Sequence, residues 1–264
     1  MVKKDFPTIH FYDQDFVDIY DRTWAWIQDF WKKGTKRNGF QSKYFNYPEN
    51  ESIKQFEAIL STFFLVYSNK NYPVTGLLEN FYSKQEENGA IRCEYSEQTG
   101  KPVLSDKNKE GIQPPLFSWA EYNIYHKVGQ KKRIKDVMPI LEKYFSWVEN
   151  TFKQENGLYS VPMEATMIPN SPRKRVYYPV DFNAQMAINA LYMSALGDVL
   201  NDKEISFKYK KQYFSIKTRI NSMMWNEEHG FYFDLDRKEN QVIVKTIAGF
   251  WTLLAEIPNE NKAH

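Results

Sequence analysis

Three connecting stretches of this 264-residue chain gather polar side chains that core packing does not require. The first, Ile112 to Glu121, sets Gln113 directly before Pro114 and Pro115, which fix the backbone at the start of a predicted helix. Held there, Gln113 can hydrogen-bond a ligand through both ends of its amide, or stand in solvent at a plain proline-led helix start. Trp119 and Glu121 add a flat ring and a carboxyl to the same stretch. The second, Ser160 to Arg173, carries Glu164 and Arg173 among three prolines, and a rigid loop of this length inside a compact domain is usually functional. The third, Tyr177 to Met186, carries Tyr178, Asp181 and Asn183; Asp181 or Asn183 also suits the N-cap of the helix that follows. Aromatic residues make up 17% of the chain, more than packing normally demands. Flat rings take the C–H face of a pyranose while its hydroxyls seek polar partners, although an aromatic-rich core is the plainer reading of the composition alone.

The elements that must position these residues are helical. From Asp15 to Lys33, Phe16, Ile19, Tyr20, Trp24, Ile27, Phe30 and Trp31 recur at spacings of three and four, which predicts one apolar face. Further helices are predicted at about 50–68, 74–85, 116–128, 133–153, 181–200, 203–225 and 243–256, with strand signals only in short pieces between them. Those pieces repeat: Asn88-Gly89, Asn156-Gly157 and His229-Gly230 each follow acidic or polar residues and precede two apolar ones. Each glycine suits a left-handed helix C-cap leading into a short extended segment.

The glycines lie 68 and 73 residues apart, room for two helices and their connections. Such a period suits helical hairpins arranged around a common axis with their loops gathered at one end. Six such units would need roughly 420 residues. The chain is therefore expected to be a single partial domain over 1–264, with an exposed apolar edge where further helices should pack. That edge is expected to self-associate or to recruit protein.

Composition narrows the partners. Lys and Arg number 35 against 33 Asp and Glu, so a formal charge of +2 gives no global attraction to nucleic acid or an anionic membrane, and a small neutral substrate fits better. A single cysteine, Cys93, excludes an internal disulfide, and with 4 histidines no Cys/His zinc site is expected. No cofactor is implied. The N-terminus lacks an apolar stretch of the secretory type and no run reaches the length of a membrane span, so a cytoplasmic location is the simplest expectation.

Gln113-Pro114-Pro115, then Asn170-Ser171-Pro172-Arg173, then Pro179-Val180-Asp181-Phe182-Asn183-Ala184 occur in the order found in trehalases and their mannosylglycerate-hydrolase-like relatives. The segment Val244 to Ala255 is similar to that group's segment after its fifth or sixth long helix. Tyr47 to Ala58 sits where relatives carry an aromatic-Trp-Asp motif, from which it departs, with Glu57 as the nearest equivalent. The chain thus resembles the N-terminal part of a trehalase-like glycoside hydrolase. The resemblance implies an all-α, incomplete (α/α)6 toroid with short β segments in its connecting loops. It also implies inverting hydrolysis of an α-glycosidic bond in a small sugar or glycoside, with an Asp as general acid and a Glu as general base. Inversion needs two carboxyls on opposite sides of the bond with room for water.

In relatives the acid Asp immediately precedes the Asn-Ser-Pro-Arg-like run, and that position here is Pro169, which has no proton to give. The general base belongs to a C-terminal region that this sequence does not contain. This chain is therefore expected to be inactive alone, with Asp181 and Glu164 as the carboxyls that could replace the acid. By the same resemblance, Gln113, Trp119, Glu121, Arg173, Tyr178, Asn183, Glu57 and Trp251 are the candidate substrate contacts. The guanidinium of Arg173 is suited to fork onto sugar hydroxyls. A non-catalytic sugar-binding remnant and a helical interaction scaffold are the alternatives.

Overall fold

The computed structural model describes residues 7–68, 70, 72–168 and 170–262. About half of the chain is helical. In chain order the helices are α1 (Gln14–Ile27), α2 (Gln55–Leu65), α3 (Thr75–Tyr82), α4 (Phe117–Val128), α5 (Lys131–Phe152), α6 (Val180–Leu200), α7 (Lys203–Met223) and a short α8 (Trp251–Leu254). Strands are confined to four antiparallel two-stranded ribbons among the described residues. These are β1 (Trp31–Lys32) with β2 (Tyr44–Phe45), β3 (Ser52–Lys54) with β4 (Glu94–Ser96), β5 (Trp225–Asn226) with β6 (Phe231–Tyr232), and β7 (Asp234–Leu235) with β8 (Gln241–Val242).

The even-numbered helices form an inner arc. α2 touches α4, α4 touches α6 and α6 touches α8, while α3, α5 and α7 pack on the outside. α6 is the axis of this packing, with every residue from Val180 to Ala190 buried. That explains why its sequence shows no apolar stripe: a helix covered on all sides has no polar face to display. Its close approach to α7 depends on Gly197, where a Cβ would stand 2.6 Å from the backbone nitrogen of Ser206.

Side-chain contacts fix the helix directions. The Phe56 N–H donates to Gln113 Oε1 (3.1 Å), and further along both chains Phe63 meets Trp119 (4.5 Å between centroids), so α2 and α4 run parallel. Ser118 Oγ donates to Asn189 Oδ1 (2.6 Å), and Tyr122 meets Tyr192 (5.0 Å), so α4 and α6 do too. Parallel inner helices bring the loops that precede them to one end of the arc, as the sequence period requires.

The repeated Asn/His-Gly turns lie outside α3, α5 and α7, and all three glycines have positive φ: 98° at Gly89, 84° at Gly157 and 55° at Gly230. They are turn residues of small hairpins, several residues past each helix end, and not helix C-caps. At Gly89 the Glu86 N–H donates to the Ala90 carbonyl, and at Gly157 the Gln154 N–H donates to the Leu158 carbonyl. Asn88 Oδ1 and Asn156 Oδ1 accept from the N–H groups of Ala90 and Leu158, both at 2.9 Å, which is the side-chain-to-backbone bond that favours asparagine in turns.

Three predicted helices differ. The run Asp15 to Lys33 gives α1, a 3-10 turn (Gln28–Phe30) and strand β1. The run 50–68 gives strand β3 before α2, because the Gln55 N–H is taken by the Cys93 carbonyl. The run 243–256 gives only a 3-10 turn (Ile247–Phe250) and α8, capped by Thr246 Oγ1 accepting from the Ala248 N–H. In α1, Trp24 and Ile27 are buried, with Phe30 just beyond, whereas Phe16 and Ile19 are 57% and 61% exposed.

Candidate active site

The site is built at the N-terminal mouths of the inner helices. At α2 and α4, Gln55 Nε2 donates to the Pro114 carbonyl (3.0 Å), which ties the two mouths together. Gln113 is buried, not in solvent, and a bond from the Phe56 N–H of the neighbouring helix to its Oε1 holds it in place and takes up that end of the amide. Beside it the ring of Trp251, the first residue of α8, comes within 6.5 Å of the Phe56 ring. Gln113, Phe56 and Trp251 thus share one corner. Glu57 follows Phe56 in the chain but turns to other partners: it is half-buried, its Oε2 accepts from Asn50 Nδ2 (3.0 Å), and its Oε1 lies 3.7 Å from Lys54 Nζ.

Trp119 lies deeper along the arc, half-buried between Phe63 and the stacked ring of Tyr192. Glu121 points elsewhere. It is fully buried and forked by Arg133, whose Nε and Nη2 donate at 2.8 and 2.7 Å, while the Tyr82 hydroxyl donates a third bond at 2.8 Å. These partners tie α4 to α3 and α5, on the outside of the arc.

The mouth of α6 holds a second cluster. Arg173 Nη2 donates to Asp181 Oδ2 (3.0 Å) and to Thr166 Oγ1 (3.1 Å), and Arg173 Nη1 donates to Asp234 Oδ1 (3.1 Å). All three charged groups are buried. Asp234 Oδ1 also accepts from the Val180 N–H (2.8 Å), serving from a distant ribbon as the cap that Pro179 cannot supply. One guanidinium faces two carboxylates away from water, so the charged cluster carries a net negative charge that desolvation penalises. Burial accordingly pushes the Asp234 carboxyl up to about 6 against the opposing pull of Arg173, and burial raises the Asp181 carboxyl for the same reason.

The loop leading into α6 is held in unusual backbone conformations. Met167 and Arg175 have φ of 63° and 62°, a left-handed region that non-glycine residues rarely adopt. Glu164 sits on the 3-10 turn Met163–Thr166, partly exposed, and its nearest cation is Lys107 at 4.0 Å. Tyr178 is buried and pairs its backbone with Leu235. Asn183 is consumed by structure: its Oδ1 accepts from the Tyr159 N–H (2.8 Å), and its Nδ2 donates to the carbonyls of Tyr159 and Pro179. Pro169 lies outside the described residues.

The structure therefore brings Gln113 and Trp251 to one corner beside Phe56, leaves Glu57 with Asn50 and Lys54, and brings Arg173, Asp181, Tyr178 and Asn183 to the mouth of α6. It places Trp119 further along the arc and sends Glu121 to the outside. Two residues escaped the sequence reading. Asp234 lies 61 residues from its Arg173 partner and gave no local signal. Gln185 is fully buried, and neither end of its amide has a hydrogen-bond partner among the described residues. Gln185 precedes Asn189 by one turn and Pro114 precedes Ser118 by one turn, so the Ser118–Asn189 bond sets Gln185 level with the Gln113 loop. The polar line Asp181, Gln185, Asn189 at spacings of four in an otherwise apolar run was the available clue. No group of three or more metal-ligating side chains occurs among the described residues.

Residues 29–264 match the family model of the mannosylglycerate hydrolase MGH1-like glycoside hydrolase domain. A curated relative, an uncharacterized protein of Borreliella burgdorferi, is 50% identical over 265 residues, covering 99% of this chain and 55% of that protein. The chain thus spans about half the length of the curated relative it matches. Among solved structures, the GH63 mannosylglycerate hydrolase of Thermus thermophilus in complex with glucose is similar with a TM-score of 0.72 at 17% identity, over 92% of this chain and 73% of that one. A rhamnosidase from Klebsiella oxytoca with rhamnose bound is similar with a TM-score of 0.73 at 12% identity, over 98% of this chain and 48% of that one. At such identities these two share the fold, an all-α toroid of which this chain forms an incomplete part.

Proposed function

We propose, because this chain belongs to the mannosylglycerate hydrolase MGH1-like glycoside hydrolase family, that it forms the N-terminal part of a trehalase-like catalytic domain. Its substrate would be a small sugar or glycoside with an α-linkage, cleaved with inversion. The observation that carries the reading is the shared corner of Phe56, Gln113 and Trp251 at the inner helix mouths, level with the unpaired amide of Gln185. Rings and an amide at one place suit a pyranose: a flat apolar support and, from the Nε2 end of Gln113, a donor, its Oε1 being taken by the Phe56 N–H.

Catalysis is a separate matter from recognition. Asp181 is enclosed, with Oδ2 on Arg173 and Oδ1 on the Phe182 N–H, so its carboxyl holds the mouth of α6 together before it could serve a leaving group. Glu164 is partly exposed, and its contact with Lys107 is 4.0 Å. On this reading the chain binds an α-glycoside at its helix mouths and does not turn it over by itself. A cytoplasmic site of action belongs to the same proposal.

Saturation-transfer NMR with methyl α-mannoside, methyl α-glucoside and trehalose tests it. Transfer to the sugar protons is expected with the native protein and should fall at least fivefold in Trp251→Ala, with no release of reducing sugar. Absence of transfer from all three ligands would remove the sugar-binding reading. Release of reducing sugar, lost in Glu164→Gln, would instead make Glu164 the acid. The second reading, a helical interaction scaffold able to self-associate, is favoured by one observation: large apolar side chains of α1 and α8 stand in solvent.

A further inference from the structure

Between Val180 and Asn189, α6 carries four polar side chains, Asp181, Asn183, Gln185 and Asn189, and all are buried. Three find partners within the protein. Asp181 is held by Arg173 and the Phe182 N–H, Asn183 bonds to Tyr159 and Pro179, and Asn189 Oδ1 accepts from Ser118 Oγ. Gln185 does not: among the described residues neither its Oε1 nor its Nε2 has a partner, and the residue is 0% exposed. The other buried side-chain atoms in that condition are the lone indole N–H groups of Trp31 and Trp225. Gln185 alone leaves a donor and an acceptor bare side by side.

The reason lies in what stands opposite. Gln185 and Asn189 are one turn apart on α6, as Pro114 and Ser118 are at the opening of α4, so the Ser118–Asn189 bond sets Gln185 level with the turn Pro114-Pro115. Neither proline has an N–H to offer. The Pro114 carbonyl is already taken, by Gln55 Nε2 and by the Leu116 N–H. A glutamine so placed costs stability, because burial strips its amide of water and returns no bond. Methionine would fill the same space without that cost. An uncompensated breach of the rule that buried polar groups are paired is the mark of a residue kept for function.

We infer that Gln185 is a specificity-determining contact of the sugar site, whose amide takes two neighbouring ring hydroxyls, one accepting from Nε2 and the next donating to Oε1. The inference rests on the carbohydrate reading of the helix mouths and names the feature of the sugar that they select. An amide presents its donor and acceptor together, and a pair of adjacent hydroxyls matches both, since each hydroxyl donates and accepts. The amide is enclosed, so contact requires it to turn about its side-chain torsions toward the Gln113 corner. The two bonds made there offset what its burial costs.

A substitution and a series of deoxy sugars test this on the full chain, with affinity read by saturation-transfer titration and stability by urea unfolding. Gln185→Met keeps the length of the side chain and removes both polar ends. It is expected to unfold at a higher urea concentration than the native protein, yet to bind methyl α-mannoside or methyl α-glucoside at least tenfold more weakly. An amide with a merely structural role would give the reverse, lower stability with unchanged affinity. The second measurement needs no variant: among the 2-, 3- and 4-deoxy forms of the bound glycoside, two adjacent positions should each weaken binding to the native protein at least fivefold. In Gln185→Met the same two forms should bind as the parent sugar does. Equal binding of all deoxy forms by the native protein, or a Gln185→Met protein with native affinity, would overturn this inference and leave the sugar pocket standing. No binding of any of these sugars by the native protein would overturn the pocket itself, and the inference with it.

Discussion

Two arginine–carboxylate clusters stand on opposite sides of the inner arc, and their difference separates scaffold from site. Arg133 joins Glu121 and Glu79, on three different helices, and Glu79 keeps 36% of its side chain in contact with solvent. Arg173 joins Asp181 and Asp234, at the mouth of α6 and in a ribbon, and both carboxylates are sealed. The two have the same formal charge, one cation to two anions. At Arg133 one carboxylate reaches water; at Arg173 both are enclosed, and burial raises them toward the protonated form against the pull of Arg173 and of the Val180 and Phe182 N–H groups. The helix-to-helix cluster is a fastening. The loop-to-ribbon cluster is a fastening under electrostatic load, placed beside the left-handed residues Met167 and Arg175, which is how functional loops are commonly held.

Arg173→Met leaves two buried carboxyls without a cation and should cost about 3–5 kcal/mol in urea unfolding, the range for removing one partner of a buried ion pair. Arg133→Met should cost less, about 2–3 kcal/mol, because Glu79 can turn to water and Tyr82 still donates to Glu121. An equal or larger loss at Arg133 would remove the distinction.

The pH dependence sharpens it further. Asp234 titrates near 6 when folded, above the ordinary aspartate value, so the folded state holds the extra proton between about pH 4 and 6. Its contribution to stability is complete below the unfolded value and is lost as pH rises through about 6, a change of roughly 1–3 kcal/mol by linkage. Asp234→Asn keeps an acceptor for the Val180 N–H and removes the titration, so the slope of stability between pH 4 and 6.5 should flatten. An unchanged slope would place the proton elsewhere. The smallest effect is expected at Glu164→Gln, within about 0.5 kcal/mol of the native protein, since its contact with Lys107 is long and partly exposed.

Much of the fold could be read in the residues, because helical spacing and turn chemistry are local. α4, α5, α6 and α7 start and end within two residues of expectation, and the three repeated glycines do adopt positive φ. The site was legible where a backbone constraint pinned it, as at Gln113 before two prolines. It was not legible where a partner arrives from far along the chain. Asp234 looked like any acidic residue of a short ribbon, and Glu121 looked like a neighbour of Trp119 until Arg133 drew it to the other side of α4. The apolar face of α1 was legible and its exposure was not, because spacing reports which residues share a side, and burial depends on what stands opposite.

The central claim is that the inner helix mouths form a carbohydrate pocket, and a crystal structure of the protein soaked with methyl α-mannoside or methyl α-glucoside tests it most directly. The account predicts a sugar ring lying on Trp251 or Phe56, with a hydroxyl within hydrogen-bond distance of the Gln113 amide. A sugar bound beside α1, or bound elsewhere with this corner untouched, would contradict it.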